Sequence, residues 1–158
     1  VKLYLSACDD KEPLRSDLRG YVAEAQMSGQ ILLVEDEASI RRVVRIFLEN
    51  AGFTVRCAGS GDEAYDIFLR APDTFDLIVT DVIMPGKLQG PMLVRKAREL
   101  REDISVVYVS GYPHEANVHG NGVRPRDISL TKPIERSTFM TAIKRAINRS
   151  NSFSNHLR

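Results

Sequence analysis

Residues 75–86 read Phe-Asp-Leu-Ile-Val-Thr-Asp-Val-Ile-Met-Pro-Gly. The short apolar run Phe75 to Thr80, closed by Asp81 and then by the turn signal Pro85-Gly86, reads as a strand buried on both faces. Upstream, Ile31-Leu-Leu-Val34 is a second run of this kind, closed by Glu35 and Asp36. Strands that are apolar throughout, without alternation, belong to parallel sheets covered by helices on both sides.

The flanking chain supplies those helices. Ile40, Val43, Val44, Phe47 and Leu48 recur at helical spacing, with Arg41, Arg42, Arg45 and Glu49 on the opposite face and Gly52 as the stop. The arginines read as a solvated face. Phe53 to Ala58 is a weaker strand. Ser60 and Glu63 form a capping box ahead of Ala64, Ile67 and Phe68. Pro91 to Leu100 is a third helix with proline at its start. Ser105 to Val109 is a β-branched strand and Tyr108 within it is a packing residue. Residues 113–126 are rich in Gly, Asn and Pro and allow at most a short helix. Ile128 to Leu130 is a fifth strand, and Phe139, Ile143, Ala146 and Ile147 mark a last helix. The expected class is α/β, a doubly wound five-stranded parallel sheet with a short or irregular fourth helix.

The chain has 158 residues, 43% hydrophobic and 27% charged, with 22 Lys plus Arg against 21 Asp plus Glu. This bounds one ordinary domain with tails, since a domain takes ~100–200 residues. The balance of +1 argues against a dedicated nucleic-acid binder. Two cysteines, Cys8 and Cys57, without a CxxC give neither a disulfide framework nor a zinc site. No run approaches the ~20 apolar residues of a membrane helix. Leu5-Ser-Ala-Cys8 resembles a lipoprotein cleavage box but lacks the basic start and apolar stretch of a signal peptide. Residues 6–29 read as a linker, 30–148 as the domain and 149–158 as a flexible tail. The opening Val1 reads as the start of a piece cut from a longer protein.

Chemistry is expected where the strands end. Glu35 and Asp36 follow the first strand, Asp81 the third, Ser110 the fourth and Lys132 the fifth. In an open parallel sheet these carboxyl ends share one edge, where ligands bind. Two carboxylates ~4 Å apart repel by about 4 kcal/mol at an effective dielectric of ~20. A proton or a cation must therefore sit among them. Lys132 offsets one charge, and Mg²⁺, held by carboxylates, waters and phosphate oxygens, offsets the rest. A carboxylate in that setting can attack phosphorus, with a hydroxyl and a lysine holding the other phosphoryl oxygens. Glu37 is expected to stand at the N-terminus of the first helix.

Four ordered stretches carry a resemblance: Ile31-Leu-Leu-Val-Glu-Asp-Glu37, Asp76-Leu-Ile-Val-Thr-Asp-Val-Ile-Met-Pro-Gly86, Val107-Tyr-Val-Ser-Gly111 and Leu130-Thr-Lys-Pro-Ile134. Together they resemble the signatures of a two-component receiver domain over about residues 30–148. The resemblance implies a flavodoxin-like sheet of order 2-1-3-4-5 and Asp81 as phosphoacceptor. It implies Asp36 and Asp81 as direct Mg²⁺ ligands, with Glu35 acting through water and the Ile83 backbone carbonyl as a further ligand. Ser110 and Lys132 would bind the phosphoryl group. The implied partners are a histidine kinase core or a histidine phosphotransfer protein, in a bacterial, cytoplasmic phosphorelay.

The loop Met84 to Gly90, the stretch Ser110 to Gly122 and the segment Val1-Lys-Leu-Tyr-Leu5 look like the receiver and the end of the ATPase domain of a hybrid histidine kinase. The chain carries no phosphoacceptor-histidine helix, and His114 and His119 read as surface residues. One position departs from the family. Ser129 stands where an aromatic switch residue is usual, so the switch set is Ser110, Ser129 and, as a substitute ring, Tyr112. Ile83 and Tyr112 are expected to flank the phosphoryl group and slow its hydrolysis.

Two other readings remain open at this level. A degenerate receiver would keep the fold and act as a protein-binding module. Gly59-Ser-Gly61-Asp-Glu-Ala64, with Asp81 downstream, also fits a dinucleotide fingerprint. Against this, Asp62 and Glu63 at the helix N-terminus would repel a pyrophosphate.

Overall fold

The computed structural model describes residues 27–112 and 123–154. The chain alternates β1 (Gln30–Val34), α1 (Ala38–Asn50), β2 (Thr54–Ala58), α2 (Gly61–Arg70), β3 (Leu77–Asp81), α3 (Gly90–Leu100), β4 (Ser105–Ser110), β5 (Ile128–Thr131) and α4 (Arg136–Ser154). All strand pairs are parallel, in the order β2-β1-β3-β4-β5. The expected sheet and its order are those observed.

Alternate residues of each strand feed two cores. Leu32, Val34, Ile78, Val106 and Tyr108 meet Ala64 and Phe68 of α2 and Leu93, Val94 and Ala97 of α3. Ile31, Leu33, Leu77, Val79 and Val107 meet Leu48 of α1 and Phe139, Ile143 and Ile147 of α4. β1 and β3, central in the sheet, are buried along almost their whole length. β5 alternates half-buried and exposed residues.

Local signals set the boundaries. α1 stops where Ala51 N–H bonds back to Phe47 and Leu48 and Gly52 takes a φ of 105°, a conformation that suits a residue without Cβ. Ser60 Oγ accepts the Glu63 N–H at 3.2 Å, and the Glu63 carboxylate reaches the Gly59 N–H at 2.7 Å. The capping box is therefore present, closed one residue further upstream than the usual pattern. Glu37 holds the N-cap position of α1 but makes no side-chain cap bond. Its carboxylate accepts the Ser39 hydroxyl instead.

The last helix departs from expectation. α4 continues to Ser154, past the boundary drawn at 148. Ser150 is buried, and the Ser152 hydroxyl bonds back to the Asn148 carbonyl, so a side chain that looks polar and loose in sequence is accommodated within the helix. The doubtful fourth helix falls mostly on residues 113–122, outside the described residues. So do Val1 to Leu5, most of the 6–29 linker, Cys8, His114 and His119. Met27 packs onto the α1/α4 core.

Candidate functional site

Glu35, Asp36 and Asp81 come together at the carboxyl edge of the sheet because β1 and β3 are register-locked neighbours, with Val34 opposite Thr80. Carboxylate oxygens of the three lie within 4.8 Å of one another. Glu35 and Asp81 are buried and Asp36 is exposed. Lys132, immediately after β5, places Nζ 3.1 Å from Asp81 Oδ1 and 3.7 Å from Glu35 Oε2. Its backbone N–H bonds the Ser110 carbonyl at 2.7 Å, which ties the lysine to the end of β4.

The electrostatics follow from crowding. Burial first, then the hydrogen bond shared with Asp81, push the Glu35 carboxyl up to about 8. In metal-free protein near neutrality Glu35 therefore carries the proton that three close carboxylates require. Burial disfavours the Lys132 ammonium, but Asp81, Glu35 and Asp36 together outweigh it and hold Lys132 above its ordinary value. The cluster is a set of hard oxygen donors, with one exposed member facing solvent. This fits a Mg²⁺ ion that keeps several waters, with Asp36 and Asp81 placed to hold it and Glu35 within reach.

Other nominated residues lie on the same edge with different engagements. Ser110 is buried, and its hydroxyl donates to the Tyr112 carbonyl at 2.8 Å. The Tyr112 side chain is 71% exposed, a loop tyrosine, and that of Ile83 is 50% exposed. Neither ring nor aliphatic chain is buried over the acids. Ser129 is exposed on β5 and lies opposite the wholly buried Tyr108 of β4.

Sequence reading missed the braces. Arg41 is no solvated arginine: its Nη1 donates to the Glu35 carbonyl at 2.6 Å and the Asp36 carbonyl at 3.3 Å, fixing the β1–α1 loop. Gln89 clamps the loop after Asp81 by exchanging two bonds with the Met84 backbone, at 2.7 and 2.6 Å. Asp62 accepts the Lys87 and Leu88 N–H groups. A Cβ on Gly90 would stand 2.2 Å from the Asp81 carbonyl oxygen, so α3 approaches the site as closely as it does because this residue has none. The signal for Gln89 was available: a loop between an acid and a helix-opening Gly-Pro needs a partner for its backbone. For Arg41 no local signal exists.

The dinucleotide reading fails on the same contacts. A Cβ on Gly61 would meet the Leu88 carbonyl oxygen at 2.1 Å, so the α2 N-terminus is covered by the β3–α3 loop and the glycine serves packing.

The sheet order, the acidic trio and the lysine at its edge are those of a receiver-type fold. The match to the response regulator receiver domain family over residues 31–144 is direct, and the chain belongs to that family. Among curated proteins it is 32% identical over 145 residues to the sensor kinase CckA of Brucella abortus, covering 92% of this chain but 14% of that one. It is 31% identical to the response regulator receiver protein CpdR of the same organism, covering 75% of this chain and 96% of the relative. Among solved structures it is similar to the receiver domain of the hybrid histidine kinase CckA, at 35% identity and a TM-score of 0.64 over 75% of this chain and 99% of that one. A receiver domain protein from Clostridium thermocellum gives 28% identity and a TM-score of 0.70, over 79% and 98%. No described helix is long and apolar enough to cross a membrane.

Proposed function

We propose that this domain accepts a phosphoryl group from a phosphohistidine onto Asp81, within a cytoplasmic two-component phosphorelay and as part of a hybrid histidine kinase. The observation that carries the reading is the contact of Lys132 Nζ with Asp81 at 3.1 Å, inside a trio of carboxylates within 4.8 Å. Asp81 Oδ attacks phosphorus; the P–N bond of the donor breaks, and the imidazole leaves with its electron pair and takes a proton. Lys132 stays close enough to Asp81 to neutralise oxygens of the transferred group, and Ser110 offers its hydroxyl once it leaves the Tyr112 carbonyl. Bound Mg²⁺ would supply charge neutralisation at the phosphoryl oxygens, held by Asp36, Asp81, the Ile83 carbonyl and, through water, Glu35.

A groove of about 410 Å³ between α1 and α4 leads to Glu35, Asp81 and Lys132 and is lined by Ile40, Val44, Phe47, Ile134 and Phe139. It supports docking of an apolar helix surface of a kinase core or histidine phosphotransfer protein beside Asp81. The hybrid-kinase context is supported by the span of the match to CckA, 145 residues, which exceeds the receiver segment itself.

Intact mass after incubation with acetyl phosphate tests the chemistry. One phosphoryl group is expected, dependent on Mg²⁺ and absent from Asp81→Asn. No adduct, together with a spectrum unmoved by beryllofluoride, would overturn phosphotransfer and leave a protein-binding module.

A further inference from the structure

We infer that the buried Arg98–Asp127 ion pair locks the register of β5 and so acts as a positioning pair for Lys132; the functional arm of this inference rests on the phosphoacceptor reading of Asp81. Arg98, in α3, donates Nη2 to Asp127 Oδ1 at 2.5 Å and Nη1 to Oδ2 at 3.0 Å. The side chains are 5% and 2% exposed. Asp127 Oδ2 also accepts the Arg124 N–H at 2.7 Å. Both carboxylate oxygens are thus held in one orientation by a planar fork and a backbone donor.

The location gives the pair its consequence. Asp127 is the residue before β5, and Lys132 is the residue after it. One end of a four-residue strand is clamped to α3, and the other end delivers the ammonium to Asp81. β5 is otherwise held by its ladder with β4, by Ile128 and Leu130 against the α1/α4 core, and by the Lys132 N–H on the Ser110 carbonyl. It pairs with β4 alone among the described strands, and its residues alternate between half-buried and exposed. A slip of one residue would exchange Leu130 for Ser129 on the core side. It would also carry Lys132 ~3.3 Å along the strand, as far as its whole contact with Asp81.

A buried ion pair is a poor source of net stability, because desolvation cancels most of its attraction; fixing a register is its best-attested use. The surroundings agree. Tyr108, opposite Ser129, is wholly buried beside this pair, and its hydroxyl has no hydrogen-bond partner among the described residues. Burial first, then the Asp127 charge, hold that hydroxyl above its ordinary value. The ring contributes bulk, and the fork is the buried directional contact at this end of β5, beside exposed ones from Arg149 to the Arg126 carbonyl and from Arg126 to the Glu102 carbonyl.

The test is the double variant Arg98→Met/Asp127→Leu, which removes the charges and keeps apolar volume. It is expected to keep a cooperative thermal transition. Hydrogen exchange at the Lys132 N–H should be about tenfold faster, with Ile78 and Val79 in the central strand unchanged, as for local rather than global opening. Phosphoryl uptake from acetyl phosphate should fall by a similar factor, toward the level of Lys132→Ala. Exchange at Lys132 equal to wild type, or faster equally across the sheet, would overturn the lock. If the double variant does not fold, Arg98→Lys keeps the charge and gives up the fork; it should show the same local acceleration in smaller measure, and its absence would overturn the lock equally. Should wild type itself take up no phosphoryl group and leave its spectrum unmoved by beryllofluoride, the phosphoacceptor reading fails, while the exchange measurement still decides the lock.

Discussion

The two halves of the site are built differently. Glu35 and Asp81 rise from β1 and β3, strands flanked on both sides and covered on both faces, and both side chains are 8% exposed. Lys132 follows β5, which has one described neighbour strand, and its side chain is 39% exposed. The anions stand on the enclosed centre of the sheet and the cation beside an edge strand. Preorganised carboxylates need little movement when charge arrives. Of these three side chains the lysine is the most open to solvent.

Substitution in the two regions should expose the contrast. Ile78→Ala in the wholly buried centre of β3 should cost about 4 kcal/mol. Leu130→Ala in half-buried β5 should cost only about 1 kcal/mol, scaled by the area it covers. Urea unfolding measures both, and equal costs would dissolve the distinction. Gly90→Ala presses a methyl into the Asp81 carbonyl and should cost about 3 kcal/mol, with the loss of phosphoryl uptake exceeding what unfolding explains.

On the edge side, Lys132→Ala should slow phosphoryl uptake about 100-fold, in line with removing one charge-stabilising donor. Its thermal midpoint should scarcely change, because the side chain is partly solvated. A slowing matched by unfolding would mean that the lysine is structural after all.

The enclosed half also predicts a pH dependence. The folded-state value of Glu35 lies near 8, above its ordinary 4.5, so between those values the native state binds a proton that the unfolded chain has released. Stability then falls as pH rises. Its contribution is complete below about 4.5 and lost through about 8. In chelator-treated protein this slope should be present in wild type and absent from Glu35→Gln. A slope that survives the substitution would place the proton elsewhere.

Much of this was legible because it is local. Ile31-Leu-Leu-Val34 and Phe75 to Thr80 read as strands of a covered sheet, since runs so rich in apolar residues have nowhere else to go; the third strand itself runs Leu77–Asp81. Ser60 and Glu63 announce a helix start through bonds that span four residues. Asp36, Asp81 and Lys132 could be nominated because a parallel sheet brings every strand end to one edge. Arg41 could not be read, because a guanidinium on an apparently solvated helix face looks the same whether or not a carbonyl waits above it. The extension of α4 to Ser154 was hidden for a related reason, since serines and asparagines favour loops until burial and back-bonding satisfy them.

The sequence by itself thus determined the element order, the sheet and the residue types gathered at its edge, since these follow from periodicity and from where each run ends. Tertiary structure alone decided which groups brace that edge: Arg41 on the β1–α1 carbonyls, Gln89 on Met84, and Arg98 on Asp127. Each of these contacts depends on direction and on an accuracy of a few tenths of an ångström, and periodicity carries neither.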